Sequence, residues 1–167
     1  MALDASPQRE LRRTLSGLEY LQRLITGEIS ESPFNEHLGI RLVHAEPGTV
    51  TLECTVRPEH LNKIGSGHGG FVSSMLDNAC GLAVDTLSPA GMVWTTMDLH
   101  VRFLKAITLE AGTLRIVGHT DHVGRSTSVS HAEIQRADGK VLALATSSLY
   151  ALDLGPEPDV EGVGTAR

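Results

Sequence analysis

Between residues 69 and 87 the chain carries a long helical run that is apolar almost all the way round. Phe71, Val72, Met75, Leu76, Ala79, Cys80, Leu82, Ala83, Val84 and Leu87 cover most of its circumference. A helix without a polar face has to be surrounded. Small residues (Gly70, Ser73, Ser74 and Gly81) let neighbouring backbone come close. The material available to surround it is strand, because two extended runs precede it and four follow. Pro89-Ala90-Gly91 ends the helix.

The strand signals are alternation and turn residues. Ile40, Leu42 and Val43 lead into a turn at Glu46-Pro47-Gly48, and Val50, Leu52, Cys54 and Val56 then share one face. After the helix come Met92 to Leu104, Thr113 to Thr120, Ser126 to Gln135 and Val141 to Leu152. Asp121-His122-Val123-Gly124 and Ala137-Asp138-Gly139-Lys140 supply turns between them. One helix among six strands predicts an α+β fold in which an antiparallel sheet curls around a central helix. Ahead of this core, Leu11, Leu15, Leu18, Leu21, Leu24 and Ile25 recur at helical spacing and predict one helix over 8–27, stopped at Gly27. Ser32-Pro33 breaks the chain, and Phe34 to Leu38 form one short helical turn. The expected organisation is an N-terminal helical extension (1–35), one domain (36–154) and a Pro-, Gly- and Glu-rich tail (155–167) expected to be disordered.

Bulk properties exclude several function classes. The 167 residues suffice for one domain with a real core. With 14 basic and 20 acidic residues the net charge is −6, which argues against nucleic acid as a partner. No apolar run approaches the roughly 20 residues of a membrane span. The N-terminus lacks the basic-then-apolar order of a signal peptide. Cys54 and Cys80 lie in apolar segments without metal-type spacing and read as reduced core thiols, so a cytoplasmic location is expected.

The chemistry is concentrated where the buried helix begins. Asn62-Lys63-Ile64-Gly65-Ser66-Gly67-His68-Gly69-Gly70 places four glycines and a histidine at a helix start. Glycines let backbone approach a ligand, and a helix start supplies unpaired N–H groups. Asp77 follows inside the apolar helix, where a charge is expensive unless it has partners or work. Gly65-x-Gly67-x-x-Gly70 fits the dinucleotide fingerprint by letter, with Asp85 twenty residues after Gly65. However, Arg57 to Asn62 is no buried strand, and Asp85 stays in the same helical run, so the match fails. Ser66 lacks the strand-to-helix elbow of an esterase nucleophile.

Asn62-x-x-Gly65-x-x-His68-Gly69-Gly70 with Asp77 nine positions after the histidine resembles the hotdog-fold acyl-CoA thioesterases, nearest to the phenylacetic-acid-degradation (PaaI-like) type. The resemblance spans roughly residues 36–152 and includes Thr95 to Lys105, which is similar to the family's third strand. It implies a hotdog fold and hydrolysis of acyl-CoA to free acid and CoA, without cofactor or metal. It also implies site roles. The Gly69 N–H would hold the oxyanion, with Gly70 beside it. Asp77 would activate water as a general base or attack directly. Asn62 and His68 would hold the thioester or the water, and Thr96 would fix Asp77.

Helix geometry adds a constraint. Gly69 and Asp77 stand eight residues apart, about 12 Å along the axis. One thioester carbon cannot contact both, so the donor and the carboxylate of one site should come from two chains of a symmetric dimer, alone or as a dimer of dimers.

Each residue also has a plainer reading. Asp77 can cap a loop, His68 and Asn62 can shape one, and Thr96 is a good strand former. Asp98 is a second carboxylate whose facing the pattern leaves open. His119 and His122 lack a third ligand and read as strand and turn surface. Arg102, Lys105 and Arg125 are strand-end cations, expected either to meet CoA phosphates or to stay solvated. Two other functions compete: a non-catalytic acyl-CoA-binding or regulatory module of the same fold, and an acyl-CoA hydratase, whose His-and-acid pattern is not evident here.

Overall fold

A computed structural model describes residues 7–155. The expected disordered tail, from residue 156 onward, lies outside the described residues. Three short helices lead in: α1 (Pro7–Thr14), α2 (Gly17–Thr26) and α3 (Pro33–Leu38). The hairpin β1 (Ile40–Glu46) and β2 (Thr49–Thr55) follows, then the long helix α4 (Gly69–Asp85). Four strands close the chain: β3 (Met92–Phe103), β4 (Thr113–Val123), β5 (Thr127–Gln135) and β6 (Val141–Asp153). All six strands form one antiparallel sheet in the order β1-β2-β4-β5-β6-β3, wrapped around α4. This is the α+β hotdog architecture the sequence predicts.

The core lies between the concave face of the sheet and α4. Met75, Leu76, Ala79, Cys80 and Ala83 of the helix meet Leu52, Leu114, Ile116 and Ile134 of the strands, all fully buried. Gly118 sets the distance between the layers. A Cβ there would lie 2.2 Å from the carbonyl oxygen of Ala79, against the helix backbone itself. Gly118→Ala will therefore destabilise the protein by about 3 kcal/mol, since neither backbone can yield cheaply. Urea denaturation read by circular dichroism checks this; an unchanged midpoint would refute the close approach.

Four local features differ from the sequence reading. The single helix expected over 8–27 is two helices, because Ser16 starts a new one. Its hydroxyl accepts the Glu19 N–H, and the Glu19 carboxylate accepts the Ser16 N–H, a reciprocal cap. The expected turn at Asp121 to Gly124 is instead a continuation of β4 to Val123, with a bulge at Asp121 that absorbs the irregularity. The buried helix stops at Asp85 rather than residue 87. Nor is it buried on every side: Ser73, Ser74, Asp77, Asn78 and Gly81 form a half-buried stripe facing away from the sheet's core.

The leading helices are attached to the domain by specific contacts. Gly17 abuts the end of α4 so closely that a Cβ would fall 1.6 Å from the Asp85 carbonyl oxygen, and its N–H donates to Ser88 O. The Arg12 guanidinium reaches Asp85 Oδ1 at 2.7 Å. Leu21 is fully buried where α2 lies along β1. Buried Asn35 of α3 donates through Nδ2 to Asn78 Oδ1 at 3.1 Å, next to Asp77.

Candidate functional site

The loop before α4 is organised by Asn62. Its Oδ1 accepts the N–H groups of Ile64 (3.0 Å) and Ser66 (3.2 Å), and its Nδ2 donates to Ser66 Oγ at 2.9 Å. Gly65 takes the left-handed conformation (φ 82°) that lets the chain reverse. The Gly67 N–H donates to Ile107 O, and the His68 N–H donates to His60 O. These bonds hold the loop against the irregular segment that follows β3 and against the turn at His60.

His68 is the N-cap of α4. Its Nδ1 accepts the Gly70 N–H at 3.0 Å, so the Gly70 donor is already engaged. The Gly69 N–H belongs to the first turn, where a helix offers no internal acceptor. Among the described residues it has no hydrogen bond. It opens on a cavity of about 340 Å³ lined by Asn62, Ser66, Val72, Phe103, Lys105 and Ile107, among others. Behind the loop, His60 is buried and stacked on Phe71, with ring centroids 4.0 Å apart. Burial, aided by the nearby Arg57 charge, pushes the His60 pKa down. The neutral ring accepts the Arg57 N–H on Nδ1 at 3.1 Å.

Asp77 lies two turns further along α4, half-buried, and its Oδ1 accepts the Thr96 hydroxyl at 2.8 Å. A second cavity, of about 240 Å³, surrounds this pair and is walled by Gly81, Leu82, Val93, Trp94 and Leu149, with Asp85 at its far end. Within one chain, Gly69 and Asp77 thus open on different cavities.

One strand serves both. Trp94 and Thr96 of β3 face the Asp77 cavity. A bulge between Thr96 and Asp98 then adds a residue, Met97, and resets the alternation. Beyond it Leu99 and Val101 pack on the core, and Phe103 comes to the Gly69 cavity. The bulge is also why the facing of Asp98 could not be read from alternation. Its Oδ1 accepts the Ser148 N–H at 3.1 Å, which helps hold the bulge in place.

Of the strand-end cations, Lys105 lines the Gly69 cavity, whereas Arg102 and Arg125 are exposed and line neither cavity. His119 sits on the outer sheet face, 3.3 Å from Thr49 Oγ1 and beside His131. Sequence reasoning passed over His60, Trp94, Phe103 and Asn35. Only Asn35 carried a usable signal, as a polar residue inside a Ser-Pro-capped turn.

No helix among the described residues is long and apolar enough to cross a membrane. Both cysteines are buried, and burial pushes each thiol up to about 11, so they remain protonated.

Comparison with known proteins points to the same fold and to a family. Residues 65–143 match the family model described as the thioesterase superfamily. A relative from Saccharolobus solfataricus that carries an esterase name is 31% identical over 115 residues, 69% of this chain and 80% of its own. Human acyl-coenzyme A thioesterase 13 is 28% identical over 125 residues, 74% of this chain and 88% of its own. Among solved structures, a phenylacetic acid degradation-related protein of Ralstonia eutropha superposes with a TM-score of 0.72 at 25% identity, covering 78% of this chain and 98% of that one. The PaaI protein of E. coli shares the fold, with a TM-score of 0.71 at 23% identity over 82% of this chain and 96% of its own. By sequence and by architecture, the chain belongs to the thioesterase superfamily, as a hotdog-fold enzyme of the PaaI-like type.

Proposed function

We propose that the protein hydrolyses acyl-CoA thioesters to a free acid and CoA, with Asp77 as the reacting carboxylate and the Gly69 N–H as the oxyanion donor, across a homodimer. The observation that carries this reading is the Thr96–Asp77 hydrogen bond, which turns the carboxylate into a cavity walled by Leu82, Val93, Trp94 and Leu149 as well as by Asn78 and Asp85. Thr96 occupies one lone pair of Oδ1 and leaves Oδ2 to face the substrate. In the general-base route Asp77 takes a proton from water as the water oxygen bonds to the carbonyl carbon. The carbonyl oxygen gains charge against the Gly69 N–H and the positive end of the α4 dipole. The C–S bond then breaks, and the proton passes to the departing thiolate. In the direct route the carboxylate itself bonds to that carbon, the C–S bond breaks and the CoA thiolate leaves to take a proton from water, and a second water then cleaves the anhydride to the free acid and the Asp77 carboxylate. Label found in Asp77 after a single turnover in 18O-water identifies the direct route, with water attacking the aspartyl carbonyl of the anhydride.

The dimer is supported by three features. Among the described residues β3 is an edge strand whose one strand partner is β6, so past Met92, whose carbonyl accepts from Arg12, its other edge has no strand beside it. The half-buried stripe of α4 next to it is small and polar. The donor and the carboxylate open on separate cavities in one chain, as the 12 Å helical separation requires. Asn62 and His68 then act chiefly by shaping the donor loop. A cytoplasmic setting is part of the same reading and rests on the two cysteines being free rather than bridged.

Thiol release from a panel of acyl-CoA and acyl-carrier-protein thioesters tests the reading, with Asp77→Asn as control. Turnover that Asp77→Asn abolishes is the expected result. Tight acyl-CoA binding without thiol release would identify a non-catalytic binding module instead.

A further inference from the structure

We infer that Trp94 is the end wall of the acyl pocket and limits this enzyme to short acyl groups. The inference rests on the reading above, in which the acyl group meets Asp77. What it adds is which cavity takes the acyl arm and where that cavity stops.

Charge decides which cavity takes which arm. CoA carries several phosphates. The Asp77 cavity has no cation in its lining: Asp77 is its uncompensated carboxylate, and Asp85 at its end is already matched by Arg12, whose guanidinium is also engaged with Leu15 O and Met92 O. Phosphates are repelled there, while a neutral acyl chain finds Leu82, Val93, Trp94 and Leu149. The Gly69 cavity offers Lys105 and an amide-rich loop, and suits the carrier arm.

The acyl arm then has a fixed length. Trp94 and Thr96 are two residues apart on the same face of β3, so the indole stands about 7 Å from the level of the catalytic carboxylate. The indole does not swing freely. Its Nε1–H donates to Ser88 Oγ at 2.8 Å, bridging β3 to the segment just past α4 at the Asp85 end of the cavity. Behind it, Gly17 and Arg12 clamp the same corner, through the Ser88 carbonyl and the Asp85 carboxylate. An extended chain advances about 1.2 Å per bond, so about six bonds fit before the indole is met. The leading helices, outside the Asn62-to-Asp77 motif, therefore act on specificity by immobilising the wall.

The test compares kcat/KM for straight-chain acyl-CoAs from two to sixteen carbons in the wild type, Trp94→Ala and Trp94→Phe. Dissociation constants for unreactive acyl-CoA thioethers of the same lengths are measured alongside. The wild type is expected to favour chains of about six carbons or fewer. Trp94→Ala should raise the ten-carbon to four-carbon ratio by about tenfold or more, as each admitted methylene is worth that order. Trp94→Phe, which keeps a ring but loses the Ser88 bond, should fold like the wild type and shift the ratio less. A wild type that prefers twelve carbons or more would overturn the inference. So would a length profile unchanged in a folded Trp94→Ala, or in Trp94→Leu if the alanine variant unfolds. A thioether profile that shifts while no thiol is released from any substrate would uphold the wall and sink the hydrolase reading.

Discussion

Asp77→Asn and Gly69→Pro homodimers will each lose turnover, yet an equimolar mixture of the two will recover about a quarter of wild-type activity. Half of the exchanged dimers are mixed, and each mixed dimer has one intact site and one doubly damaged site. Loss of the carboxylate should cost about 10²–10⁴ in rate, and loss of the donor about 10²–10³. The donor is unusually easy to delete without disturbing the fold. Gly69 is the first residue of α4, where proline is well tolerated. His68 before it already has the extended backbone (φ −60°, ψ 136°) that a following proline demands. A Cβ at Gly69 would meet Phe103 Cζ at 3.6 Å, an ordinary contact. Asp77→Asn likewise keeps an oxygen for the Thr96 hydroxyl. Steady-state thiol release after proven subunit exchange reads the result. If exchange occurs and the mixture stays as inactive as its parents, the two groups do not share a site across the dimer.

The architecture could be anticipated because its strongest signals are local. An apolar helix of seventeen residues and strands that alternate leave few packings open. The donor loop was readable for the same reason: Asn62, Gly65, His68 and Gly69 act within nine residues, through bonds to their own neighbours. What the pattern could not convey depends on distant partners. Asn35 acts through Asn78 and Phe103 meets Gly69, and no spacing rule connects such pairs. The bulge at Met97 hid more than any other feature. It lets one strand face the Asp77 cavity at Thr96 and the Gly69 cavity at Phe103, positions that strict alternation would put on opposite sides. The helix break at Ser16 has a similar origin. Leucine spacing runs straight through it, and a cap formed with Glu19, together with the need for Gly17 against Asp85, overrides the periodicity.

Arg12→Ala will cost about 3–5 kcal/mol of folding stability, far more than a surface ion pair would. The pair it breaks is almost fully enclosed, with the Arg12 side chain 6% and the Asp85 side chain 14% exposed. Arg12 also donates to Leu15 O and Met92 O and lies over the Tyr20 ring, so its loss unties α1 from α2 and from β3 together. The larger share of the cost comes from Asp85, left as a buried charge without a counter-ion. Burial already holds the Asp85 pKa above its ordinary 3.8 despite the guanidinium. Removing Arg12 raises it further. A carboxyl whose pKa is raised by folding contributes most below its unfolded value and loses that contribution as pH rises through the folded value. The deficit of Arg12→Ala should therefore be largest near neutral pH and shrink as pH falls toward 3.8. Replacing both partners, as Arg12→Met with Asp85→Leu, should restore most of the stability, because no unpaired charge remains. Urea melts of the three proteins across this pH range decide the matter. A deficit that stays constant with pH would show that Arg12 holds the corner through packing and carbonyl bonds alone, with Asp85 contributing no charge penalty.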